Sequence, residues 1–268
     1  MGIGAPKAGT SWLYGYLRDH SQIFMSPIKE MHVFDAWFRP EQTRYWDDRL
    51  AAAGASFAKK VASPPTSRQK LLLAAYRARA VMSEDIAGYM AYFRREVRDE
   101  HRAFGELTPN YSLIRQAGFA ALRRQHPSVR LIYLLRDPVE RLWSGLRMRQ
   151  RDNDEYRAET GFIEALRDEP MIERSRYDLT LKTVWSEFPR DDVWIGYYET
   201  LFDPISIRSL CEWIGVDYVP ADFARHPNRS PDVTMSPEQR SIARAMLDPV
   251  YRFCRDEFGS GLPAAWDA

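Results

Sequence analysis

The sequence has almost no cysteine: two residues in 268, Cys211 and Cys254. That excludes a disulfide framework and favours a reducing compartment. Both thiols lie among apolar neighbours, where cysteine behaves as a small core side chain. Net charge is nearly absent too. Lys and Arg total 38 against 37 Asp and Glu, a net of +1. This argues against a broad electrostatic nucleic-acid binder and leaves room for a local basic pocket. Long hydrophobic runs are missing. The greasiest stretch, Leu71-Leu72-Leu73-Ala74-Ala75, is closed by Arg77 and Arg79 and is far too short to cross a bilayer. The opening Met1-Gly2-Ile3-Gly4-Ala5-Pro6 has no basic start or apolar leader. Pro6 also stands where a myristoylation motif wants Ser or Thr. No repeat at solenoid spacing and no low-complexity tract is present. What remains is the expectation of a soluble, cytoplasmic, globular chain. Its 45% hydrophobic and 28% charged residues suit a packed core that needs no metal or disulfide staple.

What is there alternates between strand and helix. A short apolar piece ends at Ile3, followed by a Gly/Pro/Lys turn and a helix with Trp12, Leu13, Tyr16 and Leu17 on one face. Val129–Leu135 is a near-continuous apolar run, as in a strand buried on both faces of a parallel sheet. Asp137 then serves as an N-cap, with Pro138 in the first turn of a helix whose stripe is Val139, Leu142, Trp143 and Leu146. Another helix carries Leu179, Leu181, Val184, Trp185 and Phe188. A strand follows over Val193–Tyr198, then a polar loop over residues 224–235. The last helix spans about Ser236–Phe258 and is interrupted at Pro249. Residues 36–104 differ in kind, with a Ser63-Pro64-Pro65-Thr66-Ser67 break and a helical pattern over about 68–97. They read as a helical insertion or cap within a single domain covering residues 1–268. The order predicts an α/β fold: a mainly parallel sheet flanked by helices.

Two motifs suit oxyanions. In Gly4-Ala5-Pro6-Lys7-Ala8-Gly9-Thr10-Ser11-Trp12, small residues between a strand end and a helix start let amides turn inward. Thr10 and Ser11 add hydroxyls, and Lys7 adds a point charge. This is not a Walker A loop, because Lys7 precedes Gly9 instead of following the last glycine. The second motif is Leu134-Leu135-Arg136-Asp137-Pro138, with Ser144 two turns on. An arginine at a strand's carboxyl end sits where α/β sheets place ligands, and its fork fits a phosphate. Taken singly, the first motif also fits an ordinary tight turn and the second a surface Arg–Asp pair. Together they suit a nucleotide with phosphate at both ends. No motif for a Mg²⁺ site accompanies them, so no metal is expected.

These residues resemble the sulfotransferases that use 3′-phosphoadenylyl sulfate (PAPS). Pro6–Trp12 is similar to that family's 5′-phosphosulfate loop. Arg136-Asp137-Pro138-Val139-Glu140-Arg141-Leu142-Trp143-Ser144 is similar to its 3′-phosphate segment. Weaker similarity continues through Tyr177, Trp185, Phe188-Pro189, Glu199 and Asp203-Pro204. Lys29-Glu30-Met31-His32-Val33-Phe34-Asp35 and Gly105-Glu106-Leu107-Thr108-Pro109-Asn110-Tyr111 resemble the heparan and related carbohydrate branch. There the glutamate is the proposed base. By themselves, Lys29 and Glu30 fit a solvated pair equally well, and His32 a core histidine. The sequence also departs from that branch. Trp12 resembles the cytosolic small-molecule enzymes, where it stacks on adenine. Ser11 stands where some heparan enzymes carry a substrate-contacting Arg. Arg225 and Arg229 replace the usual Lys-Gly-Arg, and the first strand is shorter than in relatives.

The resemblance implies transfer of a sulfuryl group from PAPS to an acceptor hydroxyl on a sugar or other small molecule, leaving adenosine 3′,5′-bisphosphate. Glu30 would be the base, with Lys7, Lys29 and His32 assisting. Pro6, Lys7, Ala8, Gly9, Thr10, Ser11, Trp12, Arg136, Ser144 and Arg229 would hold the nucleotide. The near-zero net charge and Ser11 favour a short or neutral acceptor, and the Trp/Tyr-rich segment over 37–46, with Trp37, Tyr45 and Trp46, would also suit a lipid or aromatic one. Two other readings stay open at this point: a P-loop kinase of unusual motif, and a non-catalytic nucleotide-binding protein on the same fold. Oligomeric state is not legible.

Overall fold

The computed structural model describes residues 1–82, 87–224 and 231–267. The chain opens with β1 (Gly2–Gly4), α1 (Thr10–Asp19) and β2 (Ile23–Met25). Four helices follow: α2 (Val33–Phe38), α3 (Pro40–Lys60), α4 (Ser67–Met82) and α5 (Ala87–Glu96). Then come β3 (Ala103–Gly105), α6 (Gln116–Gln125), β4 (Leu131–Leu135) and α7 (Pro138–Asp152). The remainder comprises α8 (Phe162–Arg167), α9 (Glu169–Glu173), α10 (Tyr177–Trp185), β5 (Val193–Tyr197), α11 (Tyr198–Leu201), α12 (Pro204–Ile214) and α13 (Pro237–Phe258).

All strand pairs are parallel. The order is β1-β4-β5 in one sheet and β2-β3 in the other. Gly2 N donates to Glu106 O and Thr108 N donates to Gly2 O, both at 2.9 Å. The chain leaving β3 therefore runs beside β1 and stitches the strands into the sequence β2-β3-β1-β4-β5. All five residues of the central strand β4 are buried, which is why it reads as one apolar run and not as an alternation. Its register with β5 runs from Leu131 opposite Val193 to Leu135 opposite Tyr197. The α/β expectation, a mainly parallel sheet flanked by helices, holds.

Helix α7 starts where its cap predicts. The Asp137 side chain accepts from Glu140 N at 2.9 Å, and Pro138 occupies the first turn. Val139, Leu142, Trp143 and Leu146 are all buried. Each of those side chains contributes about 1.5–3 kcal/mol, so the helix is fixed by its inner face while its outer face is free for chemistry.

Three details differ from the pattern. The strands β2 and β3 have three residues each, too short for any periodicity to show. Leu179 is 48% exposed; on α10, Leu181 and Val184 carry the burial. Pro249 does not interrupt α13, which runs on through it. Leu247, Val250, Tyr251 and Cys254 are buried on both sides of that proline, and their packing offsets the roughly 3 kcal/mol cost of an interior proline. Cys211 and Cys254 are buried free thiols. Among the described residues no helix is long and apolar enough to cross a membrane.

Candidate active site

A cleft of about 640 Å³ opens over the carboxyl ends of β1 and β4. Its first wall is the turn between β1 and α1. Gly9 caps α1 with φ +86°, and a Cβ there would lie 2.8 Å from Leu201 Cδ2, so this position needs glycine. No side chain caps the helix, which leaves its first amides directed at whatever fills the turn. Lys7 adopts φ +72°, a strained conformation for a residue with a side chain, and lines the cleft together with Pro6, Thr10 and Ser11. Burial, with Arg151 and Arg136 nearby, lowers its pKa to about 8. Ala8 is fully buried behind the turn.

Arg136 follows β4 directly. Its Nη1 donates to Lys7 O at 3.2 Å, tying the two anion motifs together, and its guanidinium lies 4.3 Å over the Tyr198 ring. Ser144, on the cleft face of α7, lines the same space. Trp12 is only 5% exposed. The rings of Tyr16 and Phe223 lie nearly parallel to it at 6.1 and 5.7 Å, and Phe202 meets it edge-on. The other arginine of this motif, Arg141, is structural. It is wholly buried and donates to Ser175 Oγ and Met171 O at 2.6 and 2.8 Å.

The opposite wall is the segment before α2, and it is held by side chains. Glu30 and His32 have φ +64° and +51°. Arg79, from α4 and 2% exposed, donates from Nε to Met31 O at 2.5 Å, and from Nη2 to His32 O at 2.9 Å and Asp47 Oδ1 at 2.7 Å. From below, Val33 N donates to the Tyr111 hydroxyl, which donates to buried Glu106, each at 2.9 Å. Thr108 Oγ1 and Met31 N also donate to Glu106. The Gly105–Tyr111 motif is thus the footing of the Glu30 segment.

Charge is dense here. His32 Nδ1 hydrogen-bonds Asp35 Oδ2 at 2.6 Å, and Nε2 lies 3.7 Å from Glu30 Oε2, a charge contact beyond hydrogen-bond reach. The ring stacks on Trp46. Burial opposes an imidazolium, but the two flanking carboxylates outweigh it and raise the His32 pKa. Lys29 Nζ pairs with Glu30 Oε1. Burial would raise the Glu30 pKa, yet His32 and Lys29 prevail and bring it down to about 2.

One cleft therefore brings together Pro6, Lys7, Gly9, Thr10, Ser11, Trp12, Lys29, Glu30, His32, Arg136 and Ser144. Arg225 and Arg229 lie outside the described residues. Asn110, from the Gly105–Tyr111 motif, and Trp46, from the Trp/Tyr-rich 37–46 segment, line the same space, and sequence reasoning missed Arg147, Met148, Arg151, Arg174, Tyr198 and Phe202, which also line it. Arg147, Met148 and Arg151 carried a signal, since they follow Ser144 at the spacing of one helix face. Arg174 carried none. The donor set fits an anionic nucleotide: lysine, arginine, hydroxyls and open amides around a glycine that admits no Cβ. Among the described residues no group of three or more His, Cys, Asp or Glu could hold a metal ion.

Known proteins share this fold. A solved sulfotransferase from Alicyclobacillus acidocaldarius superposes with a TM-score of 0.66 at 24% identity, covering 99% of this chain and 97% of that one. The sulfotransferase domain of the Synechococcus PCC 7002 olefin synthase gives 0.52 at 15% identity, covering 98% and 94%. At such identities the likeness is one of fold, and it does not single out the carbohydrate branch. No curated protein matches the sequence. The model of the sulfotransferase family matches residues 1–220, a span that includes both anion motifs and the Glu30 segment, and the chain belongs to that family.

Proposed function

We propose that this enzyme transfers a sulfuryl group from PAPS to the hydroxyl of a small molecule or glycan, with Glu30 as general base. The supporting observation is the single cleft that faces the Lys7 loop and Arg136 on one wall toward Lys29, Glu30 and His32 on the other. The nucleotide, when bound, supplies an activated sulfuryl group and leaves as adenosine 3′,5′-bisphosphate. The Lys7 loop, with the open amides of α1, receives the 5′ end. Arg136 and Ser144 receive the 3′-phosphate. The rings of Trp12, Phe202 and Tyr198 form an aromatic wall for the base.

At neutral pH Glu30 is ionised and shared between Lys29 and His32. Lys29 holds Oε1 in the resting site. When Lys29 turns toward the departing oxygen, it adds positive charge where negative charge develops. The same movement frees Oε1 and raises its basicity, so that it takes the acceptor's hydroxyl proton. His32 faces a carboxylate from each ring nitrogen, and the two raise its pKa and favour the charged ring. Its role is to hold Glu30 in place and not to act as the base. Residues 36–104 serve as a cap within one domain, with Trp46 of α3 lining this end of the cleft.

Thermal unfolding tests the nucleotide half. Adenosine 3′,5′-bisphosphate should raise the Tm more than AMP does, because it stabilises only the folded state and adds the Arg136 contact. Arg136→Ala should erase that difference. A sulfuryl-transfer assay with PAPS and a panel of hydroxylated acceptors tests the chemistry. Equal protection by AMP and the bisphosphate, or nucleotide binding without transfer to any acceptor, would overturn the corresponding half.

A further inference from the structure

The cleft carries more positive charge than the proposed nucleotide contacts use. Six lysine and arginine side chains line it, Lys7, Lys29, Arg136, Arg147, Arg151 and Arg174, against one carboxylate, Glu30. Glu30 is already taken by Lys29. The nucleotide reading assigns Lys7, Lys29 and Arg136, and three arginines remain. Arg147 Nε is buried without a hydrogen-bond partner. Arg174 donates to the Pro170 carbonyl, and among the described residues neither it nor Arg147 forms an ion pair with a carboxylate. Arg151 spends one nitrogen on Asp152 at 2.8 Å, a carboxylate whose side chain is 57% exposed.

Their placement separates them from the 3′-phosphate end. Arg147 and Arg151 continue the Ser144 face of α7, about 4.5 and 10 Å farther along the helix axis. Arg174 enters from the turn after α9, and Trp46 lines the cleft beside His32. Asp152 pairs with the exposed Arg151, and Glu173 and Asp168 offset part of the Arg174 charge, but Arg147 keeps a buried Nε without a partner, and guanidinium groups gathered in one cleft repel one another. A ligand anion supplies the missing charge, and arginine's fork suits carboxylate and phosphate alike.

We propose that Arg147, Arg151 and Arg174 form an anion subsite for the acceptor, which is a hydroxylated small molecule carrying a carboxylate or phosphate group. This rests on the sulfuryl-transfer reading of the same cleft. It gives the acceptor a charged handle at one end and leaves the hydroxyl at Glu30.

The test is calorimetric titration of inorganic phosphate into protein saturated with adenosine 3′,5′-bisphosphate. One further phosphate site is expected. Arg147→Gln and Arg174→Gln should each weaken it by about tenfold or more, the loss of a charge-assisted contact. Arg147→Lys, which keeps the charge, should lose less. Bisphosphate affinity should change by less than about threefold in all three, which also reports that the variants are folded. Absence of phosphate binding to the saturated wild type would overturn the proposal. So would a tenfold loss of bisphosphate affinity in Arg147→Gln, since the arginine would then serve the nucleotide. If the wild type bound no bisphosphate, the nucleotide reading would fail by itself. Phosphate titrated into the free protein would still decide the subsite, sustained by loss of binding in the two glutamine variants and overturned by equal binding.

Discussion

The two walls of the cleft are built by opposite means. The Lys7 wall is backbone: a glycine at φ +86° that admits no Cβ, an uncapped helix start, and one long side chain. Its neighbours in space are its neighbours in sequence. The Glu30 wall is a strained segment clamped by remote side chains: Arg79 from α4, Asp47 and Trp46 from α3, and Tyr111 and Glu106 from beyond β3. Backbone amides present a generic anion cradle that any phosphate end can use. Side-chain clamps position one carboxylate to the sub-ångström tolerance that proton transfer needs. The difference implies that binding and chemistry should fail separately.

The largest effect should come from Lys7, where the two walls meet functionally. Lys7→Ala removes the charge without changing the left-handed backbone requirement for a non-glycine residue. Bisphosphate affinity should fall by about tenfold or more, and turnover by about 10²–10³ in addition, as for removal of a group that stabilises developing charge. Normal bisphosphate binding by this variant would break the assignment of the loop.

Glu30→Gln should produce the complementary result. It keeps shape and hydrogen-bonding reach but cannot accept a proton near neutrality. The kcat should drop by about 10²–10⁴, or roughly 3–5 kcal/mol of barrier, while bisphosphate affinity stays within about threefold. Near-normal turnover in Glu30→Gln with loss of activity in His32→Ala would move the proton to His32.

The same contrast explains what could be read from sequence. The Lys7 loop was legible because its physics is local: small residues, hydroxyls and a lysine between an apolar strand and an amphipathic helix. Arg136-Asp137-Pro138 was legible for a similar reason, a strand end running into a capped helix. Glu30 and His32 were visible only through family resemblance, since nothing nearby in sequence distinguishes them from a solvated pair and a core histidine. Of their supports, Glu106, Thr108 and Tyr111 were visible through the same resemblance, whereas Arg79, Asp47 and Trp46 were not tied to Glu30 or His32. Arg79 closes an apolar helical run that reads as packing, and its bonds span 47 and 48 residues. The short strands β2 and β3 were missed because three residues define no period. The cationic surplus was hidden by a net charge of +1, because charge balance over a whole chain says nothing about charge inside one cleft.

Arg79 gives a sharper test of the clamp. It does not itself line the cleft yet bonds the carbonyls of Met31 and of the lining residue His32, so it is a positioning residue. Arg79→Met keeps volume and removes the guanidinium with its hydrogen bonds to Met31, His32 and Asp47. Stability should fall, toward the lower end of the about 3–5 kcal/mol cost of breaking a buried pair, because the Asp47 side chain is 27% exposed. A purely structural residue would lower Tm and leave the protein that remains folded fully active. A clamp should also lower kcat by about tenfold to a hundredfold at unchanged bisphosphate affinity, with partial recovery in Arg79→Lys. Unchanged kcat in folded Arg79→Met would leave the segment fixed by Tyr111 and Glu106 alone.

The smallest effect is electrostatic and distinguishes the walls by pH. Lys7 must be protonated to attract the nucleotide, and in the empty site its pKa is brought down to about 8 by burial, with Arg151, Arg136 and Arg147 lowering it further and Asp152 opposing them. Below about pH 8 the charge is present. Above it the charge is lost, so kcat/KM, which reports the free enzyme, should fall roughly tenfold per pH unit on the alkaline side. Glu30, held near 2, should add no acidic limb in the range where the protein is handled. The alkaline limb therefore belongs to the Lys7 wall. Arg151→Gln removes the largest of the like charges acting on Lys7, so the limb should move upward by a fraction of a unit while kcat at its plateau keeps its dependence on Glu30. Glu30→Gln should leave the limb where it is. A limb that moves with Glu30→Gln and stays put in Arg151→Gln would place the titrating group on the opposite wall and reverse the division of labour between them.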